Sequence, residues 1–496
     1  MWGQAAGAPG VAFLPQATPD FIPTYVSLPD PTGMIGSFQP GGATQTSHNA
    51  FFASLGTNGR TCFTCHQPQH AWGFGPETVH ATFLLAGPDA PLFAPVDGAD
   101  CPDLADEVDG IDCDGEGSHL HRGFGTGRYG HFDADAFKAA RTQLFSKANI
   151  RVFLPIPANA QFKVRVHHDP IGCETSTEFG LPAGFLSMYR RPRPTANVVA
   201  LEPNVAGGAV FSIMWDGREA TLESQFVDAT LGHAQAAVAP SAAQQAEGVA
   251  FQKGLFTGQD FDDDALSLSS GGAKGGPTYL STLPPSINGL NFPGAPPAPP
   301  EFDVFLAWSY PTGLPKVRAA RASIARGEAI FNTRSFTLDN VPGFNDLVGV
   351  PSLPGANCTF CHNNVDRGND FVTIPKRLGI GDNTHDVLPP PPDQPLLSFL
   401  CPPGSIPFFS NPVTVNGVHY DELLTTDPGA GLVTGKCSDL GRMTVPILRG
   451  LAARAPYFHG GNAATLHDVV DFYDSRFHIG FTDGDKEDLV AFLSSL

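Results

Sequence analysis

Two short motifs constrain this 496-residue chain more than any other feature, because each joins two cysteines and a histidine at the same spacing. The motifs are Cys62-Phe63-Thr64-Cys65-His66 and Cys358-Thr359-Phe360-Cys361-His362. This spacing is typical of covalent haem attachment, in which both thiols bond to the porphyrin and the histidine ligates iron. A zinc knuckle or a dithiol redox pair is the alternative, but a closed zinc site needs four protein ligands. The repeated motif therefore predicts two covalently bound haem c groups.

Glycine and proline are abundant and favour a chain with long loops. The sequence has 55 glycines and 47 prolines, about a fifth of its residues and more than average usage. Haem supplies much of the apolar core in such a protein, so little regular structure is required. We therefore predict a mainly α-helical fold with long ordered loops. A small β-hairpin insertion is predicted over residues 151–168, where apolar and polar residues alternate around a Pro/Asn turn.

Changes in composition divide the chain into three parts. Residues 1–45 are rich in Pro, Gly and Thr without a helical period, and we predict an extended N-terminal arm. Low-complexity sequence over 270–300 is typical of a domain boundary. It predicts a first haem domain over 46–300, which includes the hairpin and an acidic loop, and a second haem domain over 301–496.

The end of the chain carries the clearest helix signals. Thr465 and Thr482 are each followed three residues later by Asp, a pattern that is typical of a capped helix start. Apolar residues then recur at helical spacing after each threonine. These signals predict two amphipathic helices that close over the second haem.

The charge balance and the cysteine chemistry limit the partners and the compartment. A net charge of -20 argues against a nucleic-acid partner, because phosphate contacts need Lys and Arg. It suits a cationic partner such as a small basic cytochrome, or serves solubility alone. There is no run of 18 apolar residues, so no membrane span is predicted. Haem thioethers and disulfides indicate a periplasmic or secreted protein, from which we expect a leader peptide to have been removed.

An acidic loop over residues 97–117 contains Cys101 and Cys113. Several carboxylates on one flexible loop suit calcium. The loop is therefore either a calcium loop closed by a Cys101–Cys113 disulfide or a solvated acidic segment.

Four further stretches extend the pattern set by the haem motifs. They are MWDGRE at 214–219, TVPILRG at 444–450, APYFHGG at 455–461 and DFY at 471–473. In this order they resemble the bacterial diheme cytochrome c peroxidase superfamily, which includes MauG and the rubber oxygenases. The resemblance covers roughly residues 48–75, 190–235 and 315–496.

The resemblance implies two c-type cytochrome domains that face each other, with one iron open to peroxide or oxygen and the other relaying electrons. His66 and His362 match the proximal ligands, and Trp215 matches the tryptophan that couples the haems. Tyr473 matches a position that is methionine in many peroxidases and tyrosine in MauG-like members. A phenolate ligand there would stabilise ferric and higher states of the second haem. For Trp215 and Tyr473 the alternative is a packed aromatic side chain in the core.

The implied peroxide pocket departs from the family pattern. Gln225 matches the distal glutamine, but Gln235 stands where the family has a distal glutamate, and glutamine cannot move a proton. His233, two residues earlier, could take that role. His459 matches a family histidine near the second haem, where it could bond a propionate.

The resemblance also implies a calcium ion between the haems, held by Asn197 with Thr444 and Pro446, because calcium prefers oxygen ligands. His70 or His80 could cap the first iron or be an ordinary surface histidine. A disulfide between Cys401 and Cys437 near the second haem is one pairing, which would leave Cys173 unpaired.

Together these features predict a peroxidase-like enzyme, a diheme c-type oxidoreductase of the cytochrome c peroxidase/MauG type. It would reduce peroxide, or use a high-valent haem to oxidise a substrate, with electron transfer between the haems. Its partners would be peroxide or oxygen and a small cytochrome or other electron donor or acceptor. A homodimer is compatible, because family members often dimerise. Two alternatives stay open: a haem oxygenase resembling the rubber oxygenases, and a non-catalytic diheme electron carrier.

Overall fold

The computed structural model describes residues 18–101, 133–173, 184–201, 213–285, 301–370 and 373–496. Its longer helices are Pro76–Ala86, Leu222–Gly232, Ala242–Lys253, Pro315–Thr333, Leu466–Phe477 and Asp483–Ser494. Shorter helical segments are Pro95–Gly98, Ala134–Ala139, Thr142–Lys147, Pro277–Leu280, Asn345–Val348 and Gly431–Thr434. None of the helices in these ranges has the length and apolarity that a bilayer crossing requires.

Five antiparallel sheets accompany the helices in the described ranges. One four-stranded sheet has the order Tyr25–Asp30, Gly33–Phe38, Phe256–Asp262, Leu266–Ser267. The other has the order Pro412–Val415, Val418–Thr425, Leu396–Cys401, Lys163–His168. The three two-stranded sheets pair Phe21–Ile22 with Thr44–Gln45, Ile150–Pro155 with Phe185–Arg190, and Phe336–Asp339 with Ser352–Ala356.

The prediction of a mainly α-helical fold is wrong, and the hairpin prediction shows why. Strand Ile150–Pro155 pairs with Phe185–Arg190, whereas strand Lys163–His168 pairs with Leu396–Cys401. The two strands that were expected to form a hairpin therefore belong to different sheets. Alternation along a strand identifies its buried face but not its partner, which here lies more than 200 residues away. The predicted division at residues 45 and 300 stays a prediction.

A tight turn closes the hairpin of strands Tyr25–Asp30 and Gly33–Phe38. Asp30 Oδ1 accepts hydrogen bonds from the backbone N–H groups of Thr32 at 2.7 Å and Gly33 at 3.0 Å. Gly33 has φ 153°, and a Cβ atom there would lie 2.2 Å from the Phe261 carbonyl oxygen on the neighbouring strand. Only glycine therefore allows this close approach of strands.

The predicted capped helices at the end of the chain are confirmed. The side chains of Thr465 and Thr482 each accept a hydrogen bond from the backbone N–H three residues later. The aspartate at that later position accepts a hydrogen bond from the backbone N–H of the threonine. Helix Asp483–Ser494 packs along helix Pro315–Thr333, where Gly327 meets the Asp488 carbonyl so closely that an added Cβ would lie 1.9 Å from its oxygen. The apolar cluster between them includes Phe331 and Phe492.

Two disulfides cross-link the described chain. Cys101 pairs with Cys173, and Cys401 pairs with Cys437. The expected Cys101–Cys113 bridge is therefore wrong, and Cys113 lies outside the described residues. Sequence proximity favoured the nearer partner, but the fold brings the more distant cysteine, 72 residues away, beside Cys101. The Cys401–Cys437 pairing is confirmed, and it lies in an apolar cluster with Phe399.

We expect the double substitution Cys401→Ala with Cys437→Ala to lower the free energy of unfolding by about 3 to 4 kcal/mol, because the unfolded chain loses a 36-residue constraint. Denaturant titration of the variant and the parent protein measures the difference. Peptide mapping without reduction should recover both crosslinked pairs, and a Cys101–Cys113 peptide would contradict this structure.

Candidate haem sites

The first cysteine motif lines a large cavity. Cys62 begins a short 3-10 turn over Cys62–Thr64, and Cys65 and His66 follow it. Cys62, Cys65 and His66 all line the cavity, whose empty space, including the part open to solvent, is about 1390 Å³. His66 Nδ1 lies 3.1 Å from the Trp72 carbonyl oxygen, so this nitrogen donates the hydrogen bond. The bond leaves Nε2 with its lone pair free, as an axial iron ligand requires.

The second motif repeats this arrangement. Cys358 begins the 3-10 turn Cys358–Phe360, and Asn357 caps it by accepting a hydrogen bond from the Thr359 N–H. Cys358, Cys361 and His362 line a second cavity, whose empty space, including the part open to solvent, is about 1480 Å³. His362 Nδ1 donates to the Gly368 carbonyl at 2.5 Å. One local sequence pattern has therefore folded twice into the same geometry.

Both cavities fit a covalently attached haem. In each cavity, two cysteines that are in no disulfide and one histidine line the same space. Burial raises the pKa of Cys62 and of Cys358 to about 12 and lowers the pKa of each motif histidine to about 4. Neutral thiols and neutral imidazoles are thus presented to each cavity.

Buried arginines in the first cavity favour the binding of an anion there. Arg191 and Arg193 line it, and burial together with the nearby charge of Arg454 lowers the pKa of Arg191 to about 9 and of Arg193 to about 10. An anion within reach would stabilise these charged side chains. The propionate carboxylates of a haem are anions of that kind.

Trp215 is shared by both cavities. Its indole Nε1 donates to the Arg191 carbonyl at 2.7 Å, and its ring lies 6.2 Å from the His459 ring in an edge-on contact. The Arg193 guanidinium lies 5.2 Å from the centre of the indole ring. Thr444, from the second half of the chain, donates its backbone N–H to the Trp215 carbonyl at 2.8 Å. The predicted bridging tryptophan therefore stands where one side chain contacts both sites.

A buried ion network holds the loop that carries Trp215. Arg190 contacts Asp427 through two nitrogens, at 2.6 and 2.8 Å, and Asp216 through a third at 2.6 Å. Arg218 also pairs with Asp216, at 3.0 Å. Burial alone would raise the pKa of Asp216, but Arg190 and Arg218 hold it below its usual value. The network therefore keeps Asp216 as a charged partner of Arg190.

The helix Leu222–Gly232 brings two of the three predicted distal residues to the first cavity. Gln225 on this helix and His233 at its end both line the cavity. Gln235 is exposed and its carbonyl accepts a hydrogen bond from the Thr57 hydroxyl, so it stands outside the lining. Gln235 therefore does not take the place of a distal acid.

His233 has a partner that the sequence did not indicate. Its Nδ1 lies 2.9 Å from Asp97 Oδ2, and Arg60 Nη1 lies 3.0 Å from the same oxygen. Asp97 was predicted in the acidic loop at 97–117, most of which lies outside the described residues. The contact joins residues 136 positions apart, and no local pattern could have revealed it.

Tyr473 lines the second cavity together with His362. Its hydroxyl makes no hydrogen bond with the residues that the structure describes, and burial raises its pKa above the ordinary tyrosine value. Phe472 and Phe477 pack against its ring. His459 lines the same cavity and is buried, and burial lowers its pKa. The structure thus places Tyr473 and His459 in the cavity of the second motif, and their roles stay predictions.

The residues of the predicted calcium site are not gathered as ligands. Thr444 and Pro446 line the second cavity, but the Asn197 side chain bonds the Thr257 backbone through both its oxygen and its nitrogen. The described ranges hold no group of three or more His, Cys, Asp or Glu side chains placed for a metal ion. Calcium therefore stays a prediction.

Neither candidate capping histidine reaches the first cavity. His70 is buried and bonds the Thr78 hydroxyl through Nε2 at 2.8 Å and the Ala453 carbonyl through Nδ1 at 3.2 Å. His80 is exposed and packs edge-on against Phe145. In the described chain, the first cavity is therefore lined by His66 and His233 but not by a third histidine.

No protein-family model matches this chain. Its similarity to known proteins is local, and it is to cytochrome c peroxidases. The cytochrome-c peroxidase IdrP2 of Denitromonas iodatirespirans is 36% identical over 78 residues, which are 14% of this chain and 21% of that protein. The cytochrome c peroxidase Ccp of Escherichia coli strain K12 is 39% identical over 80 residues, 16% of this chain and 17% of that protein.

The chain thus covers about a fifth of the length of the curated relatives that it matches. Two further matches of 35% identity, to cytochrome-c peroxidases named IdrP1, are local in the same way.

We expect Asp216→Asn to lower the free energy of unfolding by about 3 kcal/mol, because buried Arg190 loses a charged partner. Asp228→Asn is the matched control, since Asp228 meets Arg218 at the half-exposed end of the same network. Its substitution should cost less than about 1 kcal/mol.

The cost of Asp216→Asn should also depend on pH. The lowered pKa of Asp216 means that its stabilisation is present at neutral pH and is lost as pH falls through that pKa. Unfolding curves of variant and parent should therefore converge in acid. A difference that stayed constant down to pH 2 would contradict the assignment of Asp216 as the charged partner.

Proposed function

We propose that this chain is a diheme c-type oxidoreductase that reduces peroxide at its first haem, with electrons from an external donor. The observation that carries the proposal is that Trp215 lines two cavities, each built on a cysteine-cysteine-histidine motif. Bound haem supplies a redox-active iron at each site. The overall reaction takes one peroxide, two electrons and two protons to two waters.

The first cavity is the better candidate for the reaction with peroxide. It contains polar groups able to bind and protonate oxygen, namely Gln225 and His233. An imidazole can take a proton from one peroxide oxygen and return it to the other, so that the O–O bond breaks with water as the leaving group. The Gln225 amide can donate a hydrogen bond to the bound oxygen. Neither His70 nor His80 stands in the way.

The second cavity suits a storage and relay role, as in the MauG-type members of the family. Tyr473 presents a phenol without a hydrogen-bond partner among the described residues, in the cavity of His362. Burial disfavours the phenolate unless a cation compensates it. Ligation to a metal ion provides that compensation, and a phenolate ligand would stabilise the oxidised states. The two sites would then differ in their sixth ligand and divide the work.

The compartment and the electron donor follow from the same chemistry. Two disulfides and thioether-linked haem belong in the periplasm or outside the cell. A net charge of -20 favours a cationic one-electron donor, such as a small basic cytochrome, chiefly through the association rate. A calcium ion at Asn197 would require that side chain to release Thr257.

The proposal is tested by haem content and peroxide turnover in one preparation. Mass spectrometry of the holoprotein should show two covalent haems, and replacing Cys62 and Cys65 by Ala should remove one of them. That variant should lose peroxide-dependent oxidation of a reduced cytochrome by more than about a hundredfold. Replacing Cys358 and Cys361 should remove the other haem and leave peroxide binding in place. Unmodified protein mass, or no turnover with any reduced cytochrome, would reject the proposal.

Tyr473→Phe should raise the reduction potential of the second haem, on the order of 100 mV, because a ligand that favours ferric iron is removed. Redox titration followed by optical spectra measures the shift. Tyr457→Phe is the matched control, because the Tyr457 hydroxyl donates to the Leu451 carbonyl at 3.0 Å. Equal potentials for Tyr473→Phe and the parent protein would leave the electron-carrier alternative standing.

Trp215→Phe should retain both haems but slow electron transfer between them at least about tenfold, which is about 1.4 kcal/mol on the barrier. Flash reduction of one haem followed by spectra of the other measures the rate. An unchanged rate would show that Trp215 is a packing residue only.

A further inference from the structure

We propose that Asp97 is a positioning residue for His233, holding its imidazole in the tautomer whose Nε2 faces the first cavity and can accept a proton from a bound ligand. The role as a peroxide catalyst rests on the proposed function, but the proton-accepting geometry does not. Asp97 Oδ2 lies 2.9 Å from His233 Nδ1, and both residues line the first cavity.

The identity of the hydrogen-bond donor follows from the charge of Asp97. Burial alone would raise the pKa of this carboxyl, but His233 and Arg60 together hold it below its usual value. An ionised carboxylate only accepts hydrogen bonds, so His233 Nδ1 must carry the hydrogen. A neutral imidazole protonated on Nδ1 has its lone pair on Nε2.

Arg60 fixes the pair relative to the haem attachment turn, which begins two residues later at Cys62. Its guanidinium donates to the carbonyls of Pro91, Leu92, Ala94, Val96 and His233 and to the Asp97 carboxylate. Asp97 itself has the left-handed backbone angle φ 61°, which costs free energy in a non-glycine residue. The strained residue is thus fixed by the arginine that also holds the His233 backbone.

Two features separate this pair from a purely structural ion pair. Arg60 gives the buried Asp97 a permanent positive charge at 3.0 Å, so the carboxylate keeps a counter-ion when His233 is neutral. The His233 side chain is 31% exposed, whereas that of Asp97 is 6% exposed, so the imidazole extends from a buried anchor toward the open space. His233 also contributes electrostatically at His66, which lies in the same cavity.

The other charged or titratable groups near the pair are few. Arg151, like Arg60, lowers the pKa of Asp97, and the charge of Asp97 raises the pKa of Cys65. The charge of His233 lowers the pKa of His66. With Cys65 bonded to haem and His66 bound to iron, the pair is the part of this set that remains able to exchange a proton.

His233 carries one proton from the first peroxide oxygen to the second, so the Asp97–His233 pair neither gains nor loses a proton in the step. His233 Nε2 takes a proton from one peroxide oxygen, and the Asp97 carboxylate stabilises the imidazolium that forms. The same proton then passes to the second oxygen as the O–O bond breaks and water leaves. His233 ends neutral, while the external donor supplies both electrons and solvent supplies two protons for the second water.

Cyanide binding tests the proton-accepting role without requiring turnover. Hydrogen cyanide must lose its proton when it binds iron as the anion, so its association rate with the ferric holoprotein depends on a nearby base. We expect Asp97→Asn to slow cyanide association and peroxide consumption about 10- to 100-fold near neutral pH, because the Asn amide can donate to Nδ1 and favour the opposite tautomer. Both pH–rate profiles should change shape in this variant.

A double-mutant cycle with His233→Gln separates positioning from support of the fold. If Asp97 acts through His233, Asp97→Asn causes no further loss in the His233→Gln background. Equal losses in both backgrounds, or no effect of Asp97→Asn on cyanide association, would overturn the proposal. Asp100→Asn is the matched control on the same segment, because Asp100 accepts from the Gln143 N–H at 3.0 Å and lies outside the cavity lining; its rates should equal those of the parent.

The tautomer can also be observed without any variant. Nitrogen-15 NMR of the ferrous, carbon monoxide-bound holoprotein should show His233 protonated on Nδ1, and protonation on Nε2 alone would overturn the proposal. If cyanide binding responds to Asp97 and His233 as expected but peroxide is not consumed, the positioning role stands and the peroxidase function fails. If peroxide is consumed equally well by every variant, the function stands and the positioning role fails.

Discussion

The pairing of Arg190 with Asp216 and Asp427 is the interaction on which the rest of the site depends. Arg190 ends a strand, Asp216 belongs to the Trp215 loop, and Asp427 comes from the second half of the chain. All three side chains are buried, so separating them would leave uncompensated charges in a low-dielectric interior. The Arg190 guanidinium thereby holds in place the Trp215 loop, whose indole lines both cavities.

The two cavities share Trp215 but differ in their other lining residues. The first cavity is lined by arginines and by the Asp97–His233 pair, whereas the second is lined mainly by aliphatic and aromatic residues and ends on Tyr473. Polar groups that can exchange protons suit chemistry on oxygen. A mainly apolar pocket, in which the Tyr457 hydroxyl is bonded to the Leu451 carbonyl, suits a metal centre that changes charge without moving protons. The difference in lining is the physical basis for proposing reaction at one site and storage at the other.

The cysteine motifs could be recognised from the sequence because their function depends on neighbouring residues. Each motif folds into a 3-10 turn whose own backbone places the cysteines and the histidine. The capping boxes at Thr465 and Thr482 are local for the same reason. The expectation of a mainly α-helical fold was wrong because strand pairing, such as that of Lys163–His168 with Leu396–Cys401, cannot be read from local periodicity.

The sequence by itself determined the two cysteine–histidine turns and the capped helices, since each rests on hydrogen bonds or spacings within a few residues. Only the tertiary structure decided that Trp215 contacts both cavities, that His233 rather than Gln235 faces the first, and that Asp97 is its partner. These relations join residues from separate parts of the chain. They depend on which charged side chains are paired in the interior of the folded chain, and no short stretch of sequence specifies that.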